Sequence, residues 1–246
     1  MEVSVIASGS NGNCCLVQKK DVSILIDAGK SGREIEHRLD RLGKSIENID
    51  AIVLTHSHQD HVTGAGVLSR RYGIPIYMTK DVYNHVVGRI GDVDMKFFPI
   101  NKQFKIKELP IKPIRTSHSV SSCGFVIDKF GLFTDTGVVT QEMEDALPKL
   151  RCVLIESNHD IDMLINGPYP TYLKKWILSD EGHLSNVVAS SLIESRGKDL
   201  SLALLAHLSG NNNTPELAKR TFEILVNRDI EYAVCSRERE TGNFII

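Results

Sequence analysis

The sequence predicts an α/β (α+β) chain built on two mixed β-sheets with helices on their outer faces. Three observations point there. Short Val/Ile-rich runs broken by Gly, Asn, Ser or Asp dominate the first half. In the second half, such runs alternate with segments of helical spacing. No Pro/Gly-rich linker, repeat or low-complexity tract interrupts the 246 residues, so a single domain over 1–246 is expected.

In order, strands are expected at 3–7, 14–18 and 22–27. Between the first two lies Ser8-Gly9-Ser10-Asn11-Gly12-Asn13, residues that tolerate positive φ and present backbone N–H groups. Residues 31–42 have helical spacing, with Ser31 as N-cap and Ile35, Leu39 and Leu42 inward. A buried strand at 51–54 leads to a helix at 64–72, a strand at 74–78 and a helix at 80–87. Strands follow at 104–106, 109–116, 124–128 and 131–134. Then come a helix at 140–147, a strand at 152–156, helices at 171–178 and 185–195, and a strand at 202–206. Thr214 caps a helix that begins at Pro215, and 232–235 and 244–246 are the last strands.

Composition removes several classes of function. Lys and Arg number 29 against 31 Asp and Glu, a net charge of -2, which fits neither a basic nucleic-acid carpet nor a disordered acidic tail. No apolar run is long enough to span a membrane, and the N-terminus reads as a strand rather than a signal peptide. Five cysteines, an odd number without a CxxC pair, argue against a disulfide framework or thiolate zinc site and for a reducing cytoplasm.

The chemistry concentrates at His56-Ser57-His58-Gln59-Asp60-His61. Four potential metal ligands fall within one turn at the end of an apolar strand. On an extended backbone the i/i+2 histidines face one way, and Asp60 and His61 reach an adjacent position. Imidazole with carboxylate suits zinc and similar divalent ions.

This His-x-His-x-Asp-His motif resembles the hallmark of the metallo-β-lactamase superfamily. The resemblance implies a four-layer αββα sandwich and three later ligands at strand ends, here His118, Asp135 and His207. It implies that His56, His58 and His118 hold one metal, that Asp60, His61 and His207 hold a second, and that Asp135 bridges them. Asp27, after the 22–27 strand, would orient a ligand or the His/Asp loop. The stretch between Asp135 and His207 is too short for a large nucleic-acid clamp insertion.

Two further segments narrow the branch. Glu156-Ser157-Asn158-His159-Asp160 follows a strand, and Gly182-His183-Leu184-Ser185-Asn186 precedes a helix. Phosphodiesterase members carry Glu and His at such places, and a histidine held by a carboxylate can protonate a departing oxygen. Together with the 8–14 loop, Asn166-Gly167-Pro168-Tyr169-Pro170 and Ala206-His207-Leu208-Ser209, these segments are similar to the YycJ/WalJ-type proteins. One departure is Ser119, which follows His118 where the family pattern carries an acidic residue.

The resemblance implies a cytoplasmic binuclear phosphodiesterase, a 5′-to-3′ DNA exonuclease using two divalent ions, zinc first and manganese as alternative. Asp60, His183 and Glu156 are the expected catalytic residues. Ser10, Asn11, Gly12, Asn13 and Ser209 are expected to meet substrate, and His159 is a further candidate ligand or phosphate contact. Lys19, Lys20, Lys30, Arg33, Arg70, Arg71, Lys174 and Lys175 are candidates for guiding DNA. The alternatives are a thioester or lactone hydrolase, an RNA or cyclic-nucleotide phosphodiesterase and an iron-binding redox protein.

Overall fold

The computed structural model describes residues 1–246. The strands are β1 Glu2–Ala7, β2 Cys14–Lys19, β3 Val22–Ile26, β4 Ala51–Val53, β5 Ile76–Met78, β6 Met95–Phe97, β7 Phe104–Ile106, β8 Leu109–Arg115, β9 Cys123–Ile127, β10 Phe130–Phe133, β11 Cys152–Glu156, β12 Leu202–Ala206, β13 Glu231–Val234 and β14 Gly242–Ile245. The helices are α1 Gly32–Arg41, α2 Gln59–Val62, α3 Ala65–Tyr72, α4 Lys80–Ile90, α5 Gln141–Ala146, α6 Ile161–Asn166, α7 Thr171–Ile177, α8 Asn186–Arg196 and α9 Pro215–Leu225. One seven-stranded sheet has the order β14-β1-β2-β3-β4-β5-β6, the other β13-β12-β11-β10-β9-β8-β7. Both are mixed, as expected. No helix is long and apolar enough to cross a membrane.

The chain divides into two compact units, Met1–Pro113 with Ser236–Ile246, and Ile114–Cys235. In the first, β1, β2 and β3 pair antiparallel through tight connections. From β3 to β6 the pairing is parallel, because helices now carry the chain back between strands. Ile35 and Leu39 of α1, Leu68 of α3 and Val86 of α4 cluster with Leu16, Leu25, Ile52 and Ile76 of the sheet. In the second unit β10, β11, β12 and β13 run parallel, and Phe133, Ile155 and Leu205 cluster with Ile193 and Phe222. Parallel strands end together, so the residues after β10, β11 and β12 (Asp135, Glu156 at the last strand position, and His207) gather at one edge.

Several boundaries differ from expectation. The helix expected to stop at 87 runs to Ile90 and ends at Gly91 in a left-handed turn with φ 73°. Gly88 does not stop it, because Val86 and Ile90 are buried on either side. The strand expected from 74 starts at Ile76. Helix α6 lies between the expected strand at 152–156 and helix at 171–178, where the sequence predicts no element, and Asp160 caps it by accepting from the Met163 amide at 2.9 Å.

Candidate metal centre

In the first unit, β4 delivers the chain to Thr55, and His58 is the residue before α2. Asp60 and His61 therefore sit in a helical first turn, while His58 stays extended as the residue before it. The rings of His56 and His58 lie 4.7 Å apart, and those of His56 and His61 4.1 Å. His61 Nε2 is 3.5 Å from Asp60 Oδ2. The structure brings together all four motif residues.

Asp27 decides which nitrogens are presented. It holds φ 62°, a left-handed conformation that Asp tolerates better than most residues. Its Oδ1 accepts from the Thr55 amide at 2.9 Å and its Oδ2 from the Thr55 hydroxyl at 2.8 Å. His61 Nδ1 lies 2.7 Å from Oδ2, so it carries the proton and donates. The Thr55 hydroxyl, its proton given to Asp27, accepts from His56 Nδ1 at 3.0 Å. Both histidines thus have their lone pair on Nε2, as metal ligation requires.

The 8–13 loop is tied to the same motif. Asn13 closes it by accepting from the Gly9 amide at 2.9 Å and donating to the Gly9 carbonyl at 3.1 Å. The Asn13 amide donates to the Asp60 carbonyl at 2.8 Å, and its side chain reaches His61 Nε2 at 3.0 Å. Ser10 and Asn11 are exposed. Cys14, next along, is buried, and burial pushes its thiol well up, so it offers no nucleophile.

In the second unit, His118 Nδ1 faces the carbonyls of Glu181 and Gly182 at 3.1 and 3.3 Å. Carbonyls only accept, so Nδ1 is protonated and Nε2 again holds the lone pair. That Nε2 lies 3.8 Å from Asp135 Oδ1, and His207 Nε2 lies 3.6 Å from the same oxygen. Asp135 and His207 both leave their strands in the left-handed region, φ 56° and 55°. Within this unit, ligand atoms of His118, Asp135 and His183, and of Glu156, His183 and His207, lie within 4.8 Å of one another. The donors are imidazole and carboxylate with nitrogen lone pairs presented, which fits divalent zinc or manganese.

Glu156 is fully buried and fully used. Oε1 accepts from the amides of Thr136 and Leu184 at 2.8 and 3.2 Å. Oε2 takes His183 Nδ1 at 3.0 Å and His207 Nδ1 at 3.4 Å. Burial works to raise its pKa, but the charge of His183 and the hydrogen bonds from His183 and His207 prevail and hold it at about 2. The carboxylate stays ionised and fixes both rings. The His183 side chain keeps 13% exposure.

The expected substrate residue Ser209 accepts from the Asn211 and Asn212 amides at 3.4 and 3.2 Å, which organises a turn. His159 enters no group of candidate ligands within its unit. Its ring is buried, neither nitrogen has a hydrogen-bond partner, and burial lowers its pKa to about 4. Trp176 was not singled out from the sequence. Its ring stands edge-on to His183 at 5.6 Å and 6.1 Å from His118. A lone tryptophan in a short helix carries no spacing signal that would have marked it.

The sequence pattern of the β-lactamase superfamily domain matches residues 23–207. The chain is 36% identical over 229 residues to the exodeoxyribonuclease WalJ of Streptococcus pneumoniae, covering 89% of this chain and 85% of that protein. It is 34% identical over 231 residues to the exodeoxyribonuclease YycJ of Bacillus anthracis, covering 89% and 86%. Among solved structures, the metallo-β-lactamase fold protein YhfI of Bacillus subtilis superimposes with a TM-score of 0.75 over 99% of this chain and 98% of that one, at 18% identity.

Proposed function

Since the chain belongs to the β-lactamase superfamily, we propose that it is a metal-dependent exonuclease that hydrolyses DNA phosphodiesters from the 5′ end. The observation that carries this reading is the 3.0 Å contact between His183 and a buried, ionised Glu156. A thioester hydrolase has no need of such a pair, because a thiolate departs without a strong acid. The similarity to two exodeoxyribonucleases over 89% of the chain supports DNA as substrate.

The proposed metal ligands are His56, His58, Asp60, His61, His118, Asp135 and His207, holding two divalent ions, zinc or manganese, in the division the family resemblance implies. When bound, the ions lower the pKa of a water toward ~7 and neutralise phosphate oxygens. Asp60 orients the nucleophile from the start of α2. His183, with Nδ1 held on Glu156, gives its Nε2 proton to the departing oxygen. Asp27 sets the tautomers of His56 and His61 and touches no substrate. Residues 1–246 serve as a single metallo-β-lactamase-fold domain, with no large clamp inserted between Asp135 and His207. Five free, buried cysteines support a cytoplasmic setting.

The test is duplex DNA labelled at either the 5′ or the 3′ end, incubated with zinc or manganese, with Asp60→Ala beside the wild type. Stepwise metal-dependent release from the 5′ end, abolished in the variant, is expected. No cleavage in either metal, with thioester hydrolysis instead, would overturn the reading.

A further inference from the structure

Positive charge collects beside the 8–13 loop of the first unit. Lys30 immediately precedes Ser31, the N-cap of α1, and its stem lies across Gly12. A Cβ at Gly12 would stand 2.7 Å from Lys30 Cδ and 2.9 Å from Cε. Gly12 also has φ +143°, and a Cβ there would stand 2.8 Å from the Gly29 carbonyl oxygen, so backbone conformation and backbone neighbour both demand glycine. The loop thus provides a seat for one lysine stem.

The head of that lysine is not answered. Lys30 forms no hydrogen bond or ion pair. Burial first, then the charges of Arg38 and Arg237, lower its pKa against the opposing pull of Glu34. The carboxylate at hand, Glu34, is engaged with Arg38 at 2.8 Å. Arg38 is itself buried and spends its remaining donors on the carbonyls of Ile6 and Glu238. The carbonyl of Arg237 accepts from Asn11 of the loop at 3.4 Å. A half-buried ammonium among like charges has unfavourable energy until an anion joins it.

The position is also registered against the metal-binding motif. The Gly29 amide donates to the Asn13 carbonyl at 2.8 Å, and the Asn13 amide donates to the Asp60 carbonyl at 2.8 Å. A Cβ at Gly29 would stand 1.6 Å from the Asp60 carbonyl oxygen. The backbone next to Lys30 is therefore packed on Asp60.

We propose that Lys30, seated on Gly12, forms a phosphate subsite with the exposed Ser10 and Asn11, and that it takes a backbone phosphate other than the one being cut. This rests on the nuclease reading above and adds to it a residue that places the strand. Charge, not base identity, is the basis of the contact, so it is indifferent to sequence.

The experiment measures binding of the metal-loaded protein to a phosphorothioate-backbone duplex, which resists cutting, by fluorescence anisotropy across a salt series. Lys30→Met keeps the aliphatic stem on Gly12 and removes the charge. Its plot of log affinity against log salt is expected to be shallower than that of wild type by ~0.9, the loss of one phosphate contact on duplex DNA, equally for unrelated sequences. Lys30→Arg is expected to keep the wild-type slope. Equal slopes for wild type and Lys30→Met, or no binding by wild type, would overturn the subsite. The end-labelled cleavage assay decides the nuclease reading separately. Cleavage with an unchanged slope sinks only the subsite, and a changed slope without cleavage sinks only the nuclease.

Discussion

Asp27 shows how much one residue settles. Its carboxylate accepts from Thr55 and His61, and through Thr55 it sets His56 as well. Asp27→Asn keeps the shape but places an amide, a donor, where a second acceptor is needed. Metal affinity measured by competition with a chelating dye is expected to fall ~10–100-fold while the fold persists. An unchanged affinity would mean that the tautomers are set elsewhere. His159 gives a pH prediction. Its pKa is lowered from 6.5 to about 4 by burial, so between these values the unfolded chain binds the extra proton. Its contribution to stability is intact above 6.5 and is lost as pH falls toward 4. Denaturant melts of His159→Gln should lose less stability over that window than wild type. The cluster of candidate ligands at His56, His58, Asp60 and His61 was legible because His-x-His-x-Asp-His is local in sequence. The contact of Asn13 to His61 and the approach of Trp176 to His118 were not, because they join residues far apart in the chain.

At the scale of elements, strand ends do the positioning. Asp27, Asp135 and His207 leave β3, β10 and β12 in the left-handed region, which turns each side chain sharply from the strand direction. The strands themselves were readable from Val/Ile runs, and the conformation of their last residues was not. The short helix α6 was missed because six residues offer too little periodicity, although Asp160 as a cap was a usable signal. Caps remote from the candidate ligands should affect stability alone. Thr79 accepts from the Val82 amide at 3.2 Å at the start of α4. Thr79→Ala is expected to cost ~1 kcal/mol in thermal or denaturant unfolding and to leave DNA cleavage per folded molecule unchanged. A loss of activity without a loss of stability would give α4 a role it is not assigned here.

For the whole molecule, the two sheets were legible and the division into two units was not. The C-terminal segment joins the first unit through β14, which pairs with β1 more than two hundred residues away, and no local pattern announces such a return. Each unit has its own core. A metal that binds only the folded chain stabilises it by mass action. Melting temperature is therefore expected to rise with zinc or manganese concentration and to fall on chelation, with the response lost in Asp135→Ala. A melting temperature indifferent to metal would separate ion binding from the folded state altogether.

The roles given to His183 and Glu156 are tested most directly by the leaving group. Cleavage rates of His183→Ala would be compared with wild type on DNA and on a p-nitrophenyl ester of a nucleotide, whose leaving oxygen needs no proton. Expected is a loss of ~10²–10⁴-fold on DNA and a small loss on the aryl ester. Equal losses on both substrates would contradict the proton-donor role and leave the histidine with a part in holding the site together.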